Sequence, residues 1–585
     1  MAVVLTLMTI ALPWVGALAV WLIGDARSRL QSALAVAFSA AAGLASLALI
    51  PYATGGYEFS VFDAGEAFGR FTFAPDGLGV YLAVIATIIG CLAVVFSLDY
   101  MKGEHQLGRY YAFVLFFVGA MAGLVLASNL FLVFLFWEIT ALCSYALISF
   151  HNDDPKAVAG GIKALIITGL GGIGLLVGAL LAYSYLGTFN ISLFLQNAGQ
   201  MPAGALATVA FGFLAAAAAK SAQFPFQTWL PDAMEAPTPV SALIHAATMV
   251  NAGVYLLARF YPAFAAVPAW RITVISIGVI TALMAASMAV VSNDLKRVLA
   301  YSTVSQLGYM VYAIGAGGIF ASQFHLLNHS AFKALLFLGA GAVIHATGTR
   351  DLRLMGGLGR AMPVTRAVFI IGSLALVGIP VLNGFWSKEL VLEAGFLGGP
   401  LWAYLLAILT AGLTALYTYR CLYLVFYGPS HGKIPPHDAG YAMRAALYPL
   451  AIAALVTWLL AGPFSRMLAA SLPFHEVDLL PTWEMAVEVL SAPQTFLALA
   501  VIALGLAAWR WRERLSPVAN AFHGLAQAAS NSYGFEWLNR QVVTLTQEAG
   551  EALRSTQTGQ LNWNVVAIAG ALVLVLAIVI LGSVL

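Results

Sequence analysis

Long apolar runs constrain this chain more than any other feature. A helix needs about 20 mostly apolar residues to cross the hydrocarbon core of a bilayer, and this sequence contains sixteen such runs. They cover residues 3–23, 30–50, 76–98, 111–127, 129–149, 160–185, 205–222, 238–261, 272–291, 297–318, 321–346, 364–391, 401–427, 443–465, 495–511 and 563–584. Charged residues make up only 9% of the 585 residues, too few for a water-soluble surface of that size. The sequence therefore predicts an all-α polytopic membrane protein with about sixteen transmembrane helices.

The distribution of basic residues predicts the orientation of these helices. No basic residue precedes the first run, so we expect it to remain as a span rather than be cleaved as a signal, with its N-terminus outside. Eighteen Lys and Arg residues then fall in cytoplasmic loops, against three in outer loops, namely Arg70, Arg271 and Arg466. This asymmetry follows the positive-inside rule and predicts a multi-pass protein of the cell's inner membrane.

The composition also argues against several functions. A net charge of +2 offers no basic face to nucleic acid. Cys91, Cys143 and Cys421 form no CxxC pair or Cys/His cluster, so we expect neither a metal site nor a cofactor in this chain. The GxGxxG pattern at 169–174 lies inside an apolar run with no strand before it, which favours close helix packing over dinucleotide binding.

Charged groups inside the predicted spans point to transport. Burying a charge at the bilayer centre costs about 2.5–3.5 kcal/mol or more, so each such group needs a partner or a task. Glu138 lies in mid-span, Lys220 precedes the helix breaker Pro225, and Lys388 follows a second break at Gly378-Ile379-Pro380. Broken helices place backbone carbonyls and helix ends at mid-membrane depth, where transporters hold ions.

The two breaks predict a duplicated unit. Five spans separate them, and an odd offset gives the two copies opposite orientations in the membrane, as in an inverted repeat.

We therefore expect six segments: N-terminal helices at 1–110, a first repeat at 111–261, a second repeat at 272–427, additional helices at 443–511, a lateral amphipathic helix at 516–558 and an anchoring helix at 563–584. The segment 516–558 is polar with apolar residues at helical spacing, which is typical of a helix lying along a membrane or a partner.

A stripe of titratable residues lies between the breaks. His325, His329 and Lys333 follow one another at i, i+4 and i+8, which places them on one helix face. His245 adds an imidazole on another helix, and Lys163 is a further ionisable group in a span. An imidazole accepts a proton on one nitrogen and releases one from the other near neutral pH, so the set favours a proton relay. Structural hydrogen bonding is the alternative interpretation.

We hypothesise that Glu138 pairs with Lys220 and that changes in this contact drive the lysine's proton onward. Burial weakens the proton affinity of a lysine, and a nearby carboxylate restores it. A buried lysine whose anionic partner can approach or recede is therefore a switchable proton site. The proton would pass from Lys220 toward His325, His329 and Lys333 and then to Lys388.

Several long stretches resemble a known family. They are FWEITALCSYALISF (136–150), the segment 220–260, DLKRVLAYSTVSQLGYM (294–310), the segment 325–358 and GIPVLNGFWSKELVLEAG (378–395). They are similar to the antiporter-like proton-channel subunits shared by respiratory complex I, membrane-bound hydrogenases and multisubunit Na+/H+ antiporters. The resemblance implies fourteen core helices with an inverted repeat, and it covers roughly residues 71–427.

The resemblance also implies roles for individual residues. It makes Glu138 the carboxylate partner, Lys220 the central switching lysine and Lys388 the terminal lysine. His325, His329 and Lys333 match the connecting relay and His245 a further relay position. In having a lysine at position 388, the chain resembles the subunit at the distal end of complex I. Such subunits commonly carry Arg and Asp at the positions that Gly169 and Gly172 occupy here. That glycine-rich form is closer to the large subunit of the Na+/H+ antiporters, so the type of complex stays open.

The predicted function is proton translocation, or exchange of protons for Na+, within a larger assembly. The expected partners are other integral membrane subunits, the lipid bilayer and protons, with Na+ as a further candidate ion. Any enzymatic activity would belong to the complex, an ion-translocating oxidoreductase or an antiporter, rather than to this chain. The alternatives are a proton-conducting subunit of a two-component inorganic-carbon uptake complex, a self-sufficient secondary transporter and a purely structural anchor.

Overall fold

A computed structural model shows an almost entirely helical protein. It describes residues 1–556 except 64, 66–68, 430–436, 472–476 and 478. Within those residues, thirteen helical segments are long and apolar enough to cross a membrane. The all-α polytopic fold predicted from the sequence is therefore confirmed. The predicted span at 563–584 lies outside the described residues, and the total of sixteen spans stays a prediction.

The first half of the chain contains eleven α-helices and one pair of strands within the described residues. The helices are α1 (Ala2–Ile23), α2 (Ser28–Leu49), α3 (Gly77–Tyr100), α4 (Leu107–Leu126), α5 (Leu130–Ile148), α6 (Pro155–Leu186), α7 (Ile191–Asn197), α8 (Ala203–Lys220), α9 (Trp229–Asp232), α10 (Thr238–Ala242) and α11 (Met249–Phe264). Strands β1 (Phe59–Asp63) and β2 (Arg70–Phe73) form an antiparallel hairpin between α2 and α3. The apolar-run pattern did not predict this hairpin, because its strands are too short to produce such a run.

The rest of the described chain is helical. It comprises α12 (Trp270–Val291), α13 (Leu295–Ala316), α14 (Ile319–Thr347), α15 (Pro363–Val377), α16 (Asn383–Gly398), α17 (Leu401–Phe426), α18 (Tyr441–Val456), α19 (Ala461–Ser471), α20 (Thr482–Ser491), α21 (Pro493–Arg510), α22 (Ser516–Ala521), α23 (His523–Ser530) and α24 (Phe535–Thr556). The chain forms one compact unit over Met1–Ala526, and a second unit begins at Gln527.

Glycines allow several helix pairs to approach closely. On α6, an added Cβ at Gly174 would meet the backbone of Gly212 on α8, and the reverse is also true. The same reciprocal contact joins Gly278 on α12 to Gly308 on α13. Small residues at such crossings let helix backbones pack directly against each other. Close packing of α6 thus accounts for glycines of the GxGxxG pattern, as the sequence predicted.

The helix that carries Lys220 ends there, five residues before Pro225. Its last carbonyls find partners within the break: Gln223 N donates to Ala218 O at 2.7 Å, and Trp229 Nε1 donates to Ala219 O at 2.9 Å. These contacts satisfy acceptors that the end of a helix leaves free. The chain then passes through the short helix α9 to α10, a π-helical turn at Leu243–Ala247 and α11.

The predicted span 364–391 consists of two helices, α15 and α16. Gly378 ends α15 with φ 88°, and Val381 also has a positive φ, 83°. The N-terminus of α15 is capped from far along the chain, since Asp438 accepts from Val364 N at 2.8 Å and from the Thr365 hydroxyl at 2.6 Å. Burial alone would raise the pKa of Asp438, but these hydrogen bonds outweigh it and hold the pKa below its usual value.

The amphipathic segment also contains a break. Helix α23 ends at Ser530, and Ser532, Tyr533 and Gly534 all have positive φ before α24 begins. The second unit, from Gln527 on, carries exposed apolar side chains on α24, including Trp537, Leu538 and Leu545.

Candidate functional site

Lys220 lies at the C-terminal end of α8 and is fully buried. Its Nζ donates to the backbone oxygen of Trp137 on α5 at 2.7 Å and lies 5.0 Å from the centroid of the Trp137 ring. Glu138, the next residue on α5, is within electrostatic reach of Lys220. No hydrogen bond or ion pair within 4 Å joins the two side chains in the described structure. The pair is therefore close but not in direct contact.

Glu138 faces the glycines of α6. An added Cβ at Gly172 would collide with its Oε1, whereas one at Gly169 would lie 4.0 Å from its Oε2. Oε1 is buried and accepts no hydrogen bond from the protein groups that the structure describes. Gly172 thus leaves the space that the carboxylate occupies, and Oε1 has no partner among the described protein groups that fixes it there.

His245 lies in the π-helical turn that follows the first break. Its ring packs against Phe337 of α14 with centroids 4.6 Å apart. It is fully buried, and the charges of Lys333 and Lys296 act on it. A π-turn widens the helix locally and is frequent at functional sites. The π-turn places the His245 ring against α14, the helix on which the predicted stripe lies.

All three residues of the stripe on α14 are buried. His325, His329 and Lys333 are at most 1% exposed, and the rings of His325 and His329 are 6.3 Å apart. Lys333 Nζ donates to Leu299 O at 3.2 Å and, in a shorter bond, to the Ser302 hydroxyl. The spacing in the sequence therefore corresponds to a continuous line of titratable groups inside the protein.

The two histidines of α14 differ in their partners. His325 Nε2 lies 3.0 Å from Gln306 Oε1 and its Nδ1 lies 3.0 Å from Ser387 Oγ. A carbonyl oxygen can only accept, so Nε2 carries the hydrogen in this arrangement. Both ring nitrogens of His329, like those of His245, have no partner among the described protein groups. Buried polar groups of this kind are suited to contacts through water.

The second break holds Lys388. This residue is 1% exposed, and its Nζ donates to Val377 O, the last carbonyl oxygen of α15, at 3.0 Å. The neighbouring Ser387 is the partner of His325 described above, so α16 joins the stripe of α14 to Lys388. Glu389 is also buried, 2% exposed, and within electrostatic reach of Lys388.

Lys163 lies apart from this line. It forms an ion pair of 2.7 Å with Asp232, which also binds Arg297 at 2.9 Å. Lys163 and Asp232 are both partly exposed. Lys163 therefore belongs to a partly exposed ion-pair network, and its role as an additional site residue stays a prediction.

The sequence did not identify several groups that contact the line. These are Glu389 beside Lys388, Gln306 and Ser387 at His325, Ser302 at Lys333, and Lys296, which is 3% exposed and donates from Nζ to Ala236 O at 2.6 Å. Lys296 is one of the eighteen basic residues that the sequence assigns to cytoplasmic loops, just before the predicted span 297–318. Its position in the first turn of an apolar helix, next to a stripe of titratable groups, was the available signal.

Two broken helices with buried lysines, joined by a line of buried imidazoles, define a polytopic membrane protein of the ion-transporting class. The structure shows no group of three or more His, Cys, Asp or Glu that could hold a metal ion among its described residues. A model of the transmembrane part of NADH:quinone oxidoreductases and Mrp antiporters matches residues 127–414, and a model of the N-terminus of complex I chain 5 matches residues 64–111.

Individual relatives agree with these matches. The chain is 35% identical to NADH-quinone oxidoreductase subunit L of Escherichia coli, covering 87% of each protein. It is 36% identical to NAD(P)H-quinone oxidoreductase chain 5 of a Picosynechococcus species, over 82% of this chain and 79% of that protein. The structure of the Mrp complex from a Dietzia species matches with a TM-score of 0.84 and 30% identity, over 99% of this chain and 63% of that chain. The chain belongs to the antiporter-like subunit family of the complex I and Mrp superfamily.

Proposed function

We propose that this chain translocates protons as one membrane subunit of a multisubunit complex. The observation that carries the proposal is the line of buried titratable side chains between two broken helices, from Lys220 through His245, Lys333, His329 and His325 to Lys388. Keeping so many ionisable groups away from water is costly, and a relay gives each of them a task. Relatives named as quinone oxidoreductase subunits and as part of an Mrp complex support a role in ion translocation.

The proposed mechanism begins at Lys220. Nζ is held by the Trp137 carbonyl, one residue from Glu138, so a small movement of α5 changes the distance between the ammonium and the carboxylate. In a low-dielectric interior such a change alters the proton affinity of the lysine strongly. When the carboxylate recedes, Lys220 gives up its proton toward the imidazoles of His245 and His329.

The proposed relay then follows α14 and α16. His329 and His245 offer four ring nitrogens without protein partners, which suits them to exchange protons through water. His325 joins the line to Lys388 through Ser387, with Gln306 holding the other ring nitrogen. Lys388 is the terminal site and Glu389 is its counter-charge. Each group takes up one proton and gives up another, so one proton crosses with no lasting change in the chain.

We also propose the inverted-repeat arrangement, with the first repeat at 111–261 and the second at 272–427. Each proposed repeat contains one broken helix with a buried lysine near the break. The N-terminus would lie outside, so that the loops rich in Lys and Arg face the cytoplasm across the inner membrane. Opposite orientation of the two copies would allow one lysine to communicate with each side.

Partner subunits would cover the face beside Glu138. The carboxylate is only partly buried, and α6 beside it exposes the apolar side chains Ile162, Ile166, Leu170 and Ile173. A mid-span carboxylate is costly against lipid, so we propose that a neighbouring membrane subunit packs there. The segment 516–558, with its exposed apolar residues, would lie along such partners. Exchange for Na+ is the alternative transport mode, supported by the similarity to the Mrp complex.

Substitution of His329 tests the proposal. His329→Gln keeps a polar side chain but cannot carry a proton near neutral pH, so proton flux through the intact complex reconstituted in vesicles should be lost. His345→Gln is the matched control, because His345 is an exposed histidine on the same helix, and it should retain flux. Normal flux in an assembled His329→Gln complex would contradict the relay. Repeating the assay with and without Na+ distinguishes exchange from simple proton translocation.

A further inference from the structure

A polar cavity lies at one end of the helix bundle, away from the buried line. Its volume is about 170 Å³, enough for several water molecules. It lies where α3 begins and α11 nears its end, on the side opposite the basic loops. Its polar lining consists of Tyr57, Glu58, Asp76, Ser128, Ser192, Arg259 and Ser471. Two acidic groups and four hydroxyls around one guanidinium make this cavity suited to water.

An ion pair closes the inner wall of this cavity. Asp76 accepts from Gly79 N at 2.8 Å, which caps α3, and both of its carboxylate oxygens accept from the guanidinium of Arg259. Arg259 is 7% exposed, and its Nε donates to the Tyr255 hydroxyl at 3.4 Å. A fixed positive charge at a constriction hinders the passage of protons, as it does in selective pores.

A second tyrosine leads from the ion pair toward the stripe. The Tyr81 hydroxyl donates to Gln323 Oε1, and it is within electrostatic reach of Arg259 and Tyr255. Gln323 Nε2 lies 3.5 Å from Ser322 Oγ. Ser322 precedes His325 by three positions on α14, so the two side chains lie on the same helix face. Buried polar groups therefore continue from the cavity to one turn of the helix from His325.

We propose that this cavity is where protons enter or leave the relay on the side opposite the basic loops. The inference rests on the proposed function and adds a branch of its path that leads from His325 to the outer side, beside the terminal site at Lys388. Tyr81 and Gln323 are positioning residues that hold water between His325 and the cavity. The Arg259–Asp76 pair sets the electrostatic barrier at the inner wall. A proton added at one end of this chain displaces another at the far end, so charge and atoms balance.

Removing one hydroxyl group tests the path. Tyr81→Phe should lower proton flux through the intact complex at least about fivefold, which corresponds to the free energy of one hydrogen bond lost by a buried group. The matched control is Tyr110→Phe. Tyr110 is a buried tyrosine whose hydroxyl lies 2.7 Å from Ser97 Oγ, near the opposite end of α3. That control should keep its flux. Equal flux in the assembled Tyr81→Phe and wild-type complexes would overturn the proposal.

A labelling experiment decides the matter even if Tyr81→Phe fails to assemble. Ser192 is exposed and lines the cavity, so Ser192→Cys should react with a cationic, membrane-impermeant thiol reagent added on the cavity side. We expect modification to lower proton flux severalfold and addition from the other side to have no effect. Ser184→Cys is the control for reaction of the reagent with the native cysteines. Ser184 is exposed near the end of α6 and lies outside the cavity lining.

If the cavity had only a structural role, the inhibition would not depend on the side from which the reagent is added. Unchanged flux after complete modification of Ser192→Cys would overturn the proposal. This failure is distinguishable from failure of the relay itself, because His329→Gln tests the relay without touching the cavity. Loss of flux in His329→Gln together with normal flux in labelled Ser192→Cys would keep the relay and discard this outer route.

Discussion

The two broken helices hold their lysines in different ways. At the first break, Lys220 Nζ donates to a carbonyl on a separate helix, α5, next to the partly buried Glu138. At the second break, Lys388 Nζ donates to the end of its own interrupted span, at Val377, beside the buried Glu389. The first lysine therefore depends on how two helices are placed, whereas the second is held within one span. This difference suits the first site to switching and the second to a fixed terminal position.

The largest expected effect on stability separates the two lysines. Lys388→Met removes the positive charge beside the buried Glu389 and should destabilise the protein by about 3 kcal/mol. Lys220→Met should cost about 1 kcal/mol, because Glu138 is partly exposed. The thermal unfolding midpoint of the intact complex in detergent measures both. A larger loss for Lys220→Met would reverse our comparison of the two sites.

The backbone of the second break should be less tolerant of change than that of the first broken helix. Gly378→Ala places a side chain at a left-handed φ and should cost about 1–2 kcal/mol. Gly204→Ala, at an open position near the start of α8, should instead stabilise by roughly 0.5 kcal/mol. The same unfolding measurement compares the two variants. Equal midpoints would mean that the second break is not held by its glycine.

A change on α6 should affect only the first site. Gly172→Ala pushes against the Glu138 carboxylate and should lower proton flux about fivefold, as expected for roughly 1 kcal/mol of displaced interaction. Gly169→Ala, three residues earlier, lies 4.0 Å from Glu138 and serves as the control with near-normal flux. If both variants behave alike, the position of the carboxylate does not govern transport.

The smallest expected effect concerns the cap of the second broken span. The lowered pKa of Asp438 means that its contribution to stability is complete above the ordinary carboxyl value of 3.8. That contribution disappears as the pH falls through the lowered value. Asp438→Asn should therefore cost less than about 1 kcal/mol at neutral pH, since the group is partly exposed. Unfolding midpoints of the variant and wild type should converge as the pH falls below 3.8 and through the lowered pKa, and a gap that persists below it would contradict the ionic contribution.

The sequence allowed the prediction of features that depend on local pattern. Apolar runs predicted the spans, Pro225 and the Gly378–Pro380 segment predicted the breaks, and the four-residue spacing predicted that His325, His329 and Lys333 share one helix face. Each of these rests on helix geometry or on the behaviour of proline and glycine over a few residues.

Contacts between distant residues could not be predicted in the same way. The acceptor of Lys220 is a backbone oxygen 83 positions away, and Asp76 and Arg259 are 183 positions apart. His325 finds Gln306 and Ser387 on two other helices. Such partners depend on how the helices pack, and no periodicity within one segment specifies them. The Glu138–Lys220 pair stays a prediction: the two groups lie within electrostatic reach, and the carbonyl contact of Lys220 with Trp137 was not predicted.

Proton flux through the intact complex carrying Lys220→Ala tests the central claim most directly. We expect flux to be lost while the complex assembles, because the switching site at the first break no longer holds a proton. Lys102→Ala is the control and should keep its flux, since Lys102 is an exposed lysine in a loop. Unchanged flux in Lys220→Ala would contradict the proposed relay.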